Sequence, residues 1–190
     1  MTEKRYKWRR PDYKENTKGL LMVNTGDGKG KTTAAIGLMV RAAGRGLDCC
    51  MIQFMKSKTD RYGEHESLER LGIEIHTMGL GFTWDTKDKE KDIKTSEETW
   101  ALCKEKMRSG NYDLLVFDEL VYVLDYGFLN IEEVLAEISA VRSEQPHLHL
   151  VLTGRNAPEK LIEAADLVTE MREIKHPFHQ GIFAQQGIEF

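Results

Sequence analysis

One short segment, TGDGKGKTT at residues 25–33, limits the fold of this chain more than any other. It follows an apolar run of strand length at 20–25 and precedes AAIGLMVRAAG, whose small and apolar residues suit a helix packed on a sheet. Glycines let successive backbone N–H groups converge on an anion, and the start of a helix adds the positive end of its dipole. The segment therefore predicts a phosphate-binding loop between a strand and a helix.

The end of this loop carries the residues with the clearest chemical roles. Lys31 supplies a positive charge for phosphate oxygens, and the Thr32 hydroxyl is a suitable ligand for Mg²⁺. The common form of the motif has glycine where this chain has Thr25. Three glycines in a turn can also be a flexible loop, but such a loop does not require Gly-Lys-Thr at the start of a helix. The residues that we assign to nucleotide binding are Thr25, Gly26, Asp27, Gly28, Lys29, Gly30, Lys31, Thr32 and Thr33.

Two carboxylates follow the apolar stretch LLVF at 114–117, namely Asp118 and Glu119. If this stretch is a buried parallel strand, both emerge at its carboxyl end, beside the phosphate-binding loop. Acidic residues at strand ends are common, so it is their combination with the loop that indicates a metal site. We predict that Thr32, Asp118 and Glu119 hold Mg²⁺, with one carboxylate binding it directly or through water. The sequence leaves open which one.

Strand-like and helix-like segments alternate along the rest of the chain. This order predicts a P-loop NTPase-like α/β domain with a mostly parallel sheet and helices on both faces. We expect one domain over 19–190, because 190 residues are about one domain long and no repeat interrupts them. The predicted strands are 20–25, 48–54, 73–77, 113–117, 147–152 and 166–171. The predicted helices are 32–44, a mostly exposed one at 87–108, 131–141 and 158–165.

Composition excludes several classes of protein. No apolar stretch approaches the ~20 residues that cross a bilayer, and no secretory signal is visible. Cys49, Cys50 and Cys103 lack ligand-like spacing, and the first two lie in an apolar run, so we expect buried thiols in a reducing, cytoplasmic setting. The net charge of -4 makes a dedicated nucleic-acid binder a poor interpretation. We therefore predict neither a nucleic-acid nor a membrane partner.

The first 18 residues differ from the rest in charge. They contain seven Lys and Arg against three acidic residues. A basic arm on an acidic body is suited to a phosphate-bearing ligand or to another subunit, although a solvated tail explains the same pattern.

Several motifs occur together in a fixed order: the loop at 25–33, IQFMK at 52–56, GLGFTWDT at 79–86, FDEL at 117–120, TGRNAP at 153–158 and the C-terminal KHPFHQGIFAQQGIEF. In these motifs the chain resembles the P-loop type of ATP:corrinoid adenosyltransferase over 19–190, and its arm is similar in length and charge. Thr25 agrees with the family form TGxGKGKTT. The resemblance implies transfer of the 5′-deoxyadenosyl group of ATP to Co(I) of cobalamin or of cobyrinic acid a,c-diamide, with release of triphosphate.

The same resemblance implies further roles. ATP binds in the reverse of the usual P-loop sense, so that its C5′ faces the corrinoid. Lys31, Phe82 and Trp84 are the catalytic residues, the two aromatics acting as an apolar wedge that displaces the lower axial ligand of cobalt. From the sequence alone, these aromatics are as easily explained by packing. Arg41 reaches the nucleotide, or is simply a solvated helix residue.

Partners and minor positions complete the expectations. The resemblance implies a homodimer whose arm covers the corrinoid, and a flavin-dependent or other reductase as electron donor. Gln53 and Lys56 leave a predicted strand at its carboxyl end, and Arg155 follows another, so each has either a ligand role or a structural one. His65, His76 and His176 are isolated in the sequence, and we expect no catalytic or metal role for them.

Two other functions fit a P-loop. A kinase or ATPase would produce ADP and phosphate, or AMP and pyrophosphate, whereas adenosyl transfer leaves triphosphate intact. A nucleotide-gated corrinoid carrier would bind both ligands and form no cobalt–carbon bond.

Overall fold

The computed structural model describes residues 18–81 and 89–189. Six strands form one sheet, and every hydrogen-bonded pair in it is parallel. In chain order the strands are β1 (Leu21–Thr25), β2 (Cys49–Ser57), β3 (Glu74–Gly79), β4 (Leu114–Asp118), β5 (His149–Thr153) and β6 (Leu167–Glu170). Their order across the sheet is β3, β2, β4, β5, β1, β6.

Helices connect these strands and cover both faces of the sheet. They are α1 (Lys31–Ala43), α2 (Gly63–Arg70), α3 (Lys89–Arg108), α4 (Leu120–Asp125), α5 (Ile131–Glu144) and α6 (Glu159–Ala164), followed by a 3₁₀ turn at Pro177–Gln180. The predicted α/β class and the predicted P-loop NTPase-like arrangement are confirmed, and all six predicted strands are present with ends shifted by at most three residues.

The sheet is buried on both sides because alternate side chains of a strand point to opposite faces. On β4, Val116 packs with Met39 of α1, whereas Phe117 packs on the other face against α3. The rings of Phe117 and Trp100 meet edge to face, with centroids 6.1 Å apart. Each face thus has its own apolar core. Cys49, Cys50 and Cys103 are buried as free thiols, as small apolar residues would be.

The helix predicted at 87–108 is present in the described part as α3, but the prediction that it is mostly exposed is wrong. Trp100, Cys103 and Met107 are buried in the core, and they share one side of the helix because they stand three and four residues apart. Eleven of the twenty residues of α3 are Lys, Glu, Asp or Arg, and of these only Asp92 is buried. Because so many residues are charged, the average hydropathy of the segment is low even though one narrow side of the helix is apolar.

The structure contains two helices, α2 and α4, that the sequence pattern does not predict. In α2, GEHESLER contains one large apolar residue, Leu68, so it has no apolar periodicity to detect. In α4, LVYVLD continues the apolar character of β4, and the change of direction occurs at Glu119, whose φ of 62° lies in the left-handed region. Within the two described ranges, no helix combines the length and the apolar character needed to span a bilayer.

Candidate active site

The loop at residues 26–30 turns the chain from β1 into α1. Gly26 and Gly30 have φ values of 93° and 108°, which glycine adopts without the steric cost of a side chain. A Cβ at Gly26 would lie 2.4 Å from the carbonyl oxygen of Met171, and the Gly28 N–H donates to that same oxygen at 2.7 Å. The loop therefore packs closely against the chain that follows β6, and its shape requires glycine at position 26.

Lys31 places its ammonium group within this loop. Its Nζ donates to the carbonyl oxygens of Gly26 at 2.6 Å and Gly28 at 2.7 Å, and the residue is only 8 % exposed. Burial lowers the pKa of Lys31, an effect that the positive charge of Arg155 adds to and the negative charge of Glu119 opposes. An ammonium group has three N–H donors and can turn them toward an anion that enters the loop.

Thr32 and Asp118 are brought together, as predicted. The Thr32 hydroxyl donates to Asp118 Oδ1 at 2.7 Å, and the Thr153 hydroxyl donates to the same oxygen at 2.8 Å. Thr153 also accepts the backbone N–H of Glu119 at 2.9 Å. These contacts arise because β5 lies between β1 and β4 in the sheet, so that the carboxyl ends of three strands share one edge.

Glu119 lies directly after Asp118 in a half-buried position. Burial and the negative charge of Asp118 raise the pKa of Glu119 to about 7, while the positive charges of Lys31, Lys56 and Arg155 act in the opposite direction. A hydroxyl and two crowded carboxylates form an all-oxygen donor set, which is what a hard divalent cation prefers. The set fits Mg²⁺, which would also relieve the repulsion between the carboxylates.

Two further residues contact Asp118, namely Thr153, which no sequence motif assigns to the metal site, and Gln53, for which the sequence allows a ligand role or a structural one. Thr153 was not predicted, and its signal is a hydroxyl at the end of the apolar run HLVLT. Gln53 was left open, and its side chain is fully buried with Nε2 donating to Asp118 Oδ2 at 3.2 Å. It is the one polar residue in the apolar run CCMIQFM of β2.

The other side chains predicted to bind nucleotide are either exposed or hydrogen-bonded to other parts of the chain. The Thr25 hydroxyl accepts the backbone N–H of Ala157 at 3.1 Å. Asp27 is exposed, and Lys29 forms an ion pair with Glu189 near the C-terminus. Thr33 is also exposed. Their roles in nucleotide binding stay predictions.

Arg41 is not brought to the loop within one chain. It lies in the last turn of α1, ten residues beyond Lys31, which corresponds to about 15 Å along a helix. Phe82, Trp84 and residues 1–17 of the arm fall outside the described residues, so their predicted roles stay predictions as well.

Lys56 and Arg155 differ in how they relate to the cluster. Lys56 forms an ion pair with Glu64, and its ammonium lies 4.7 Å from the center of the Tyr62 ring. Arg155 is exposed after β5, and its positive charge still affects the pKa of both Lys31 and Glu119. Lys56 therefore has structural partners, whereas Arg155 is exposed and near enough to the loop for its charge to act there.

Each of the three histidines has a hydrogen-bond partner, and their predicted lack of a catalytic or metal role stays a prediction. His65 is buried and contacts the amide oxygen of Gln53 at 2.8 Å. His76 contacts Glu74 at 2.6 Å, and His176 accepts the backbone N–H of Phe178 at 3.1 Å. Of these three contacts, that of His65 joins different elements, α2 and β2, whereas the partners of His76 and His176 lie two residues away in the chain.

Glu74 and His76 lie close to Cys50 in a grouping of potential metal ligands on β2 and β3. Here a lysine already supplies the cation, because Lys106 Nζ donates to Glu74 at 2.8 Å and the Tyr112 hydroxyl donates to the other carboxylate oxygen. These hydrogen bonds, that of Lys106 foremost, lower the pKa of Glu74 to about 2. The grouping is thus explained as a neutralised ion pair.

Comparison with known proteins gives one family. The sequence profile of the ATP:corrinoid adenosyltransferase BtuR/CobO/CobP family matches residues 17–190. A corrinoid adenosyltransferase from Sinorhizobium sp. is 45 % identical over 93 % of this chain and 83 % of its own length. The corrinoid adenosyltransferase of Escherichia coli K12 is 37 % identical over the whole of both chains.

Solved structures agree on the fold at much lower identity. The flagellar accessory protein FlaH from Methanocaldococcus jannaschii superposes with a TM-score of 0.52 at 10 % identity, covering 80 % of this chain and 70 % of that one. The fold alone is shared at this distance. With the loop, the strand-end carboxylates and the near full-length match taken together, the chain belongs to the ATP:corrinoid adenosyltransferase family, which transfers the adenosyl group of ATP to cobalt corrinoids in adenosylcobalamin synthesis.

Proposed function

We propose that this chain performs adenosyl transfer with residues 25–33 around the triphosphate of ATP and with Lys31 as the main side-chain contact. The observation that carries the proposal is the buried Lys31 ammonium, held by the loop carbonyls of Gly26 and Gly28 and one residue from the Thr32–Asp118 contact. A cation in this place can replace its carbonyl partners by phosphate oxygens without leaving the loop.

The reaction needs little acid–base catalysis. An electron pair of Co(I) in the corrinoid substrate forms the bond to C5′ of ATP, the C5′–O bond breaks, and its electron pair leaves with the triphosphate. Cobalt becomes Co(III), so no further oxidant is required. The protein contributes alignment of cobalt, C5′ and the leaving oxygen, and positive charge for the leaving group. Lys31, the amides of the loop and exposed Arg155 are suited to supply that charge.

Mg²⁺ is the proposed metal, with Thr32, Asp118 and Glu119 as the residues that hold it. When bound, it neutralises charge on the leaving triphosphate. Asp118 already accepts a hydrogen bond from the Thr32 hydroxyl, so it is suited to hold the Thr32 side chain in place for the metal. Burial and the negative charge of Asp118 raise the pKa of Glu119, so a nearby cation would stabilise its ionised carboxylate.

The variant Glu119→Gln tests this assignment. Glutamine has nearly the same shape and can keep the left-handed backbone of this position, but it has no negative charge. We expect the half-saturating Mg²⁺ concentration to rise about tenfold or more, as is typical when a metal site loses a supporting carboxylate. Titration of adenosyl transfer with Mg²⁺ gives the value, and Glu132→Gln, an exposed position, serves as control. An unchanged titration would assign the metal to Asp118.

The proposed wedge gives a second prediction. We expect the double variant Phe82→Ala with Trp84→Ala to lose about tenfold more rate when the reaction starts from Co(II) than from chemically prepared Co(I), a difference of about 1.4 kcal/mol. The physical reason is that an axial donor raises the energy of the cobalt orbital that accepts the electron, so Co(II) is reduced more easily once that ligand is displaced. Equal losses in the two assays would make both aromatics packing residues.

Assembly and electron supply form the remaining part of the proposal. Residues 171–189 expose several large apolar side chains, a pattern that supports contact with a second copy of the chain; they are Ile174, Phe178, Ile182, Phe183 and Ile188. We propose a homodimer, with the basic arm of residues 1–18 over the corrinoid. A flavin-dependent or other reductase in the cytoplasm would supply the electron that converts Co(II) to Co(I).

One experiment separates this function from its alternatives. The protein is mixed with MgATP and chemically reduced cobalamin, and the visible spectrum is followed before and after illumination. We expect a stable spectrum in the dark that changes on photolysis, because the cobalt–carbon bond is cleaved by light. ATP consumption without a photolabile product would indicate a kinase or ATPase. Binding of both ligands with neither change would indicate a carrier.

A further inference from the structure

A row of buried polar side chains extends from the Mg²⁺ residues toward the far edge of the sheet. Gln53 lies in register with Asp118 on one neighbouring strand and with Thr77 on the other. His65, from α2, contacts the same amide. Gln53 and Asp118 are fully buried, and His65 is 5 % exposed. Buried polar groups of this kind require specific partners, so the contacts of each atom can be followed.

The contacts of His65 fix the position of its proton. The backbone N–H of Tyr62 donates to Nδ1 at 3.1 Å, and a backbone N–H can only donate. Nδ1 therefore carries a lone pair, and the neutral ring has its proton on Nε2. Nε2 lies 2.8 Å from Gln53 Oε1 and 3.0 Å from the Thr77 hydroxyl oxygen, and its N–H donates to the nearer Gln53 Oε1. Burial lowers the pKa of His65, which favours the neutral ring.

The orientation of the Gln53 amide follows from this proton. Its oxygen accepts from His65 and from the Thr77 hydroxyl at 3.0 Å, so its NH₂ group faces Asp118 Oδ2 at 3.2 Å. The flipped amide would set NH₂ against the Nε2–H of His65 and an oxygen against the carboxylate. Both contacts would be repulsive inside a buried network, where unmade hydrogen bonds are expensive.

We propose that His65 is a positioning residue that acts through Gln53 on Asp118. Because His65 fixes the orientation of the Gln53 amide, the NH₂ group of Gln53 holds Oδ2 of Asp118. The other oxygen, Oδ1, is then directed to Thr32. The proposal rests on the proposed role of Thr32 and Asp118 in binding Mg²⁺. It assigns a role in the active site to a residue of α2, an element that contributes nothing directly to the loop or to the strand-end carboxylates.

The first test examines the protein without any ligand. Nitrogen NMR of the labelled imidazole is expected to show the neutral ring with its proton on Nε2 at pH 7. The side-chain NH₂ of Gln53 is expected to exchange slowly with solvent, and to exchange faster in His65→Phe, which keeps a buried ring and removes both nitrogens. An Nδ1–H tautomer, or an imidazolium ring, would overturn the proposal.

The second test measures ATP binding by calorimetry at several Mg²⁺ concentrations. In His65→Phe we expect the half-saturating Mg²⁺ concentration to rise about tenfold, as for other residues that orient metal ligands. His65→Gln, whose amide nitrogen can take the place of Nε2, is expected to restore most of the affinity. His76→Phe is the matched control, because His76 contacts Glu74 outside the network. A wild-type titration curve for His65→Phe would overturn the proposal.

Two outcomes call for a different measurement: a His65→Phe variant that does not fold, and a wild-type protein without activity. If His65→Phe does not fold, Thr77→Val removes one donor to Gln53 Oε1 and is expected to shift the Mg²⁺ titration in the same direction by a smaller factor; an unchanged titration would then contradict the proposal. If the wild-type protein forms no adenosylated corrinoid, the proposed function fails, whereas the tautomer of His65 and the exchange of the Gln53 amide still decide the positioning role.

Discussion

Replacement of Lys31 by alanine is expected to lower kcat/KM by about 100-fold or more, the usual cost of removing a charged group that stabilises the transition state. The structure gives two reasons. The ammonium is buried within the loop and bonds two of its carbonyl oxygens, so it is held at the place where the phosphate oxygens are proposed to bind. The charge that develops in the reaction lies on the leaving triphosphate, which is the group that the loop is proposed to hold.

Two further variants separate charge from position at this site. Lys31→Arg keeps the positive charge, but the planar guanidinium cannot place its donors on the carbonyls of Gly26 and Gly28 in the same way, and we expect most of the loss to remain. Lys160→Ala removes an exposed lysine that pairs with Glu132 and is expected to leave the rate unchanged. Steady-state kinetics with pre-reduced corrinoid measure all three. A kcat/KM for Lys31→Ala within a factor of three of wild type would contradict the proposed role.

The variant Asp118→Asn is expected to have the second largest effect. Asp118 accepts hydrogen bonds on both oxygens, from Thr32 and Thr153 on Oδ1 and from Gln53 on Oδ2. An amide accepts on one side only, so its NH₂ group would face either the NH₂ group of Gln53 or the Thr32 and Thr153 hydroxyls, and in both orientations present hydrogen bonds to position 118 are lost. We expect the free energy of unfolding to fall by about 1–3 kcal/mol, the cost of a buried polar group without its partner.

Activity should fall with the same substitution, because the Thr32 hydroxyl loses a charged acceptor and the proposed metal loses a carboxylate. We expect a drop of about 100-fold, together with a higher Mg²⁺ requirement. Asp113→Asn is a matched control at the other end of β4. Its carboxylate accepts the backbone N–H of Asp48 at 2.9 Å, far from the loop along the strand. Equal Mg²⁺ titrations for Asp118→Asn and Asp113→Asn would contradict the assignment.

The residues that sequence alone identified are those whose role depends on local context. The phosphate-binding loop is recognisable because its glycines, the preceding strand and the following helix all lie within about two dozen residues. Each of these features depends on residues that are neighbours in the sequence. Asp118 is recognisable because it ends an apolar strand. The family is recognisable from the order of several motifs, whereas any single motif would fit many families.

The remaining residues of the site depend on which strands become neighbours. Thr153 contacts Asp118 because β5 lies beside β4, and Gln53 contacts it because β2 lies on the other side. Sheet order is set by packing between distant segments, so the sequence shows a polar residue in each apolar strand but not which of these residues will meet. The same holds for His65, which reaches the site from α2, a helix too polar to be detected by apolar periodicity.

The central claim is that this loop presents the ribose carbon of ATP, and not a phosphorus atom, to the cobalt nucleophile. Phosphorus NMR of a reaction with reduced corrinoid tests it most directly, since the phosphate products differ for the two sites of attack. The account predicts one intact triphosphate for each adenosylated corrinoid. ADP and orthophosphate appearing as the corrinoid is consumed would contradict it.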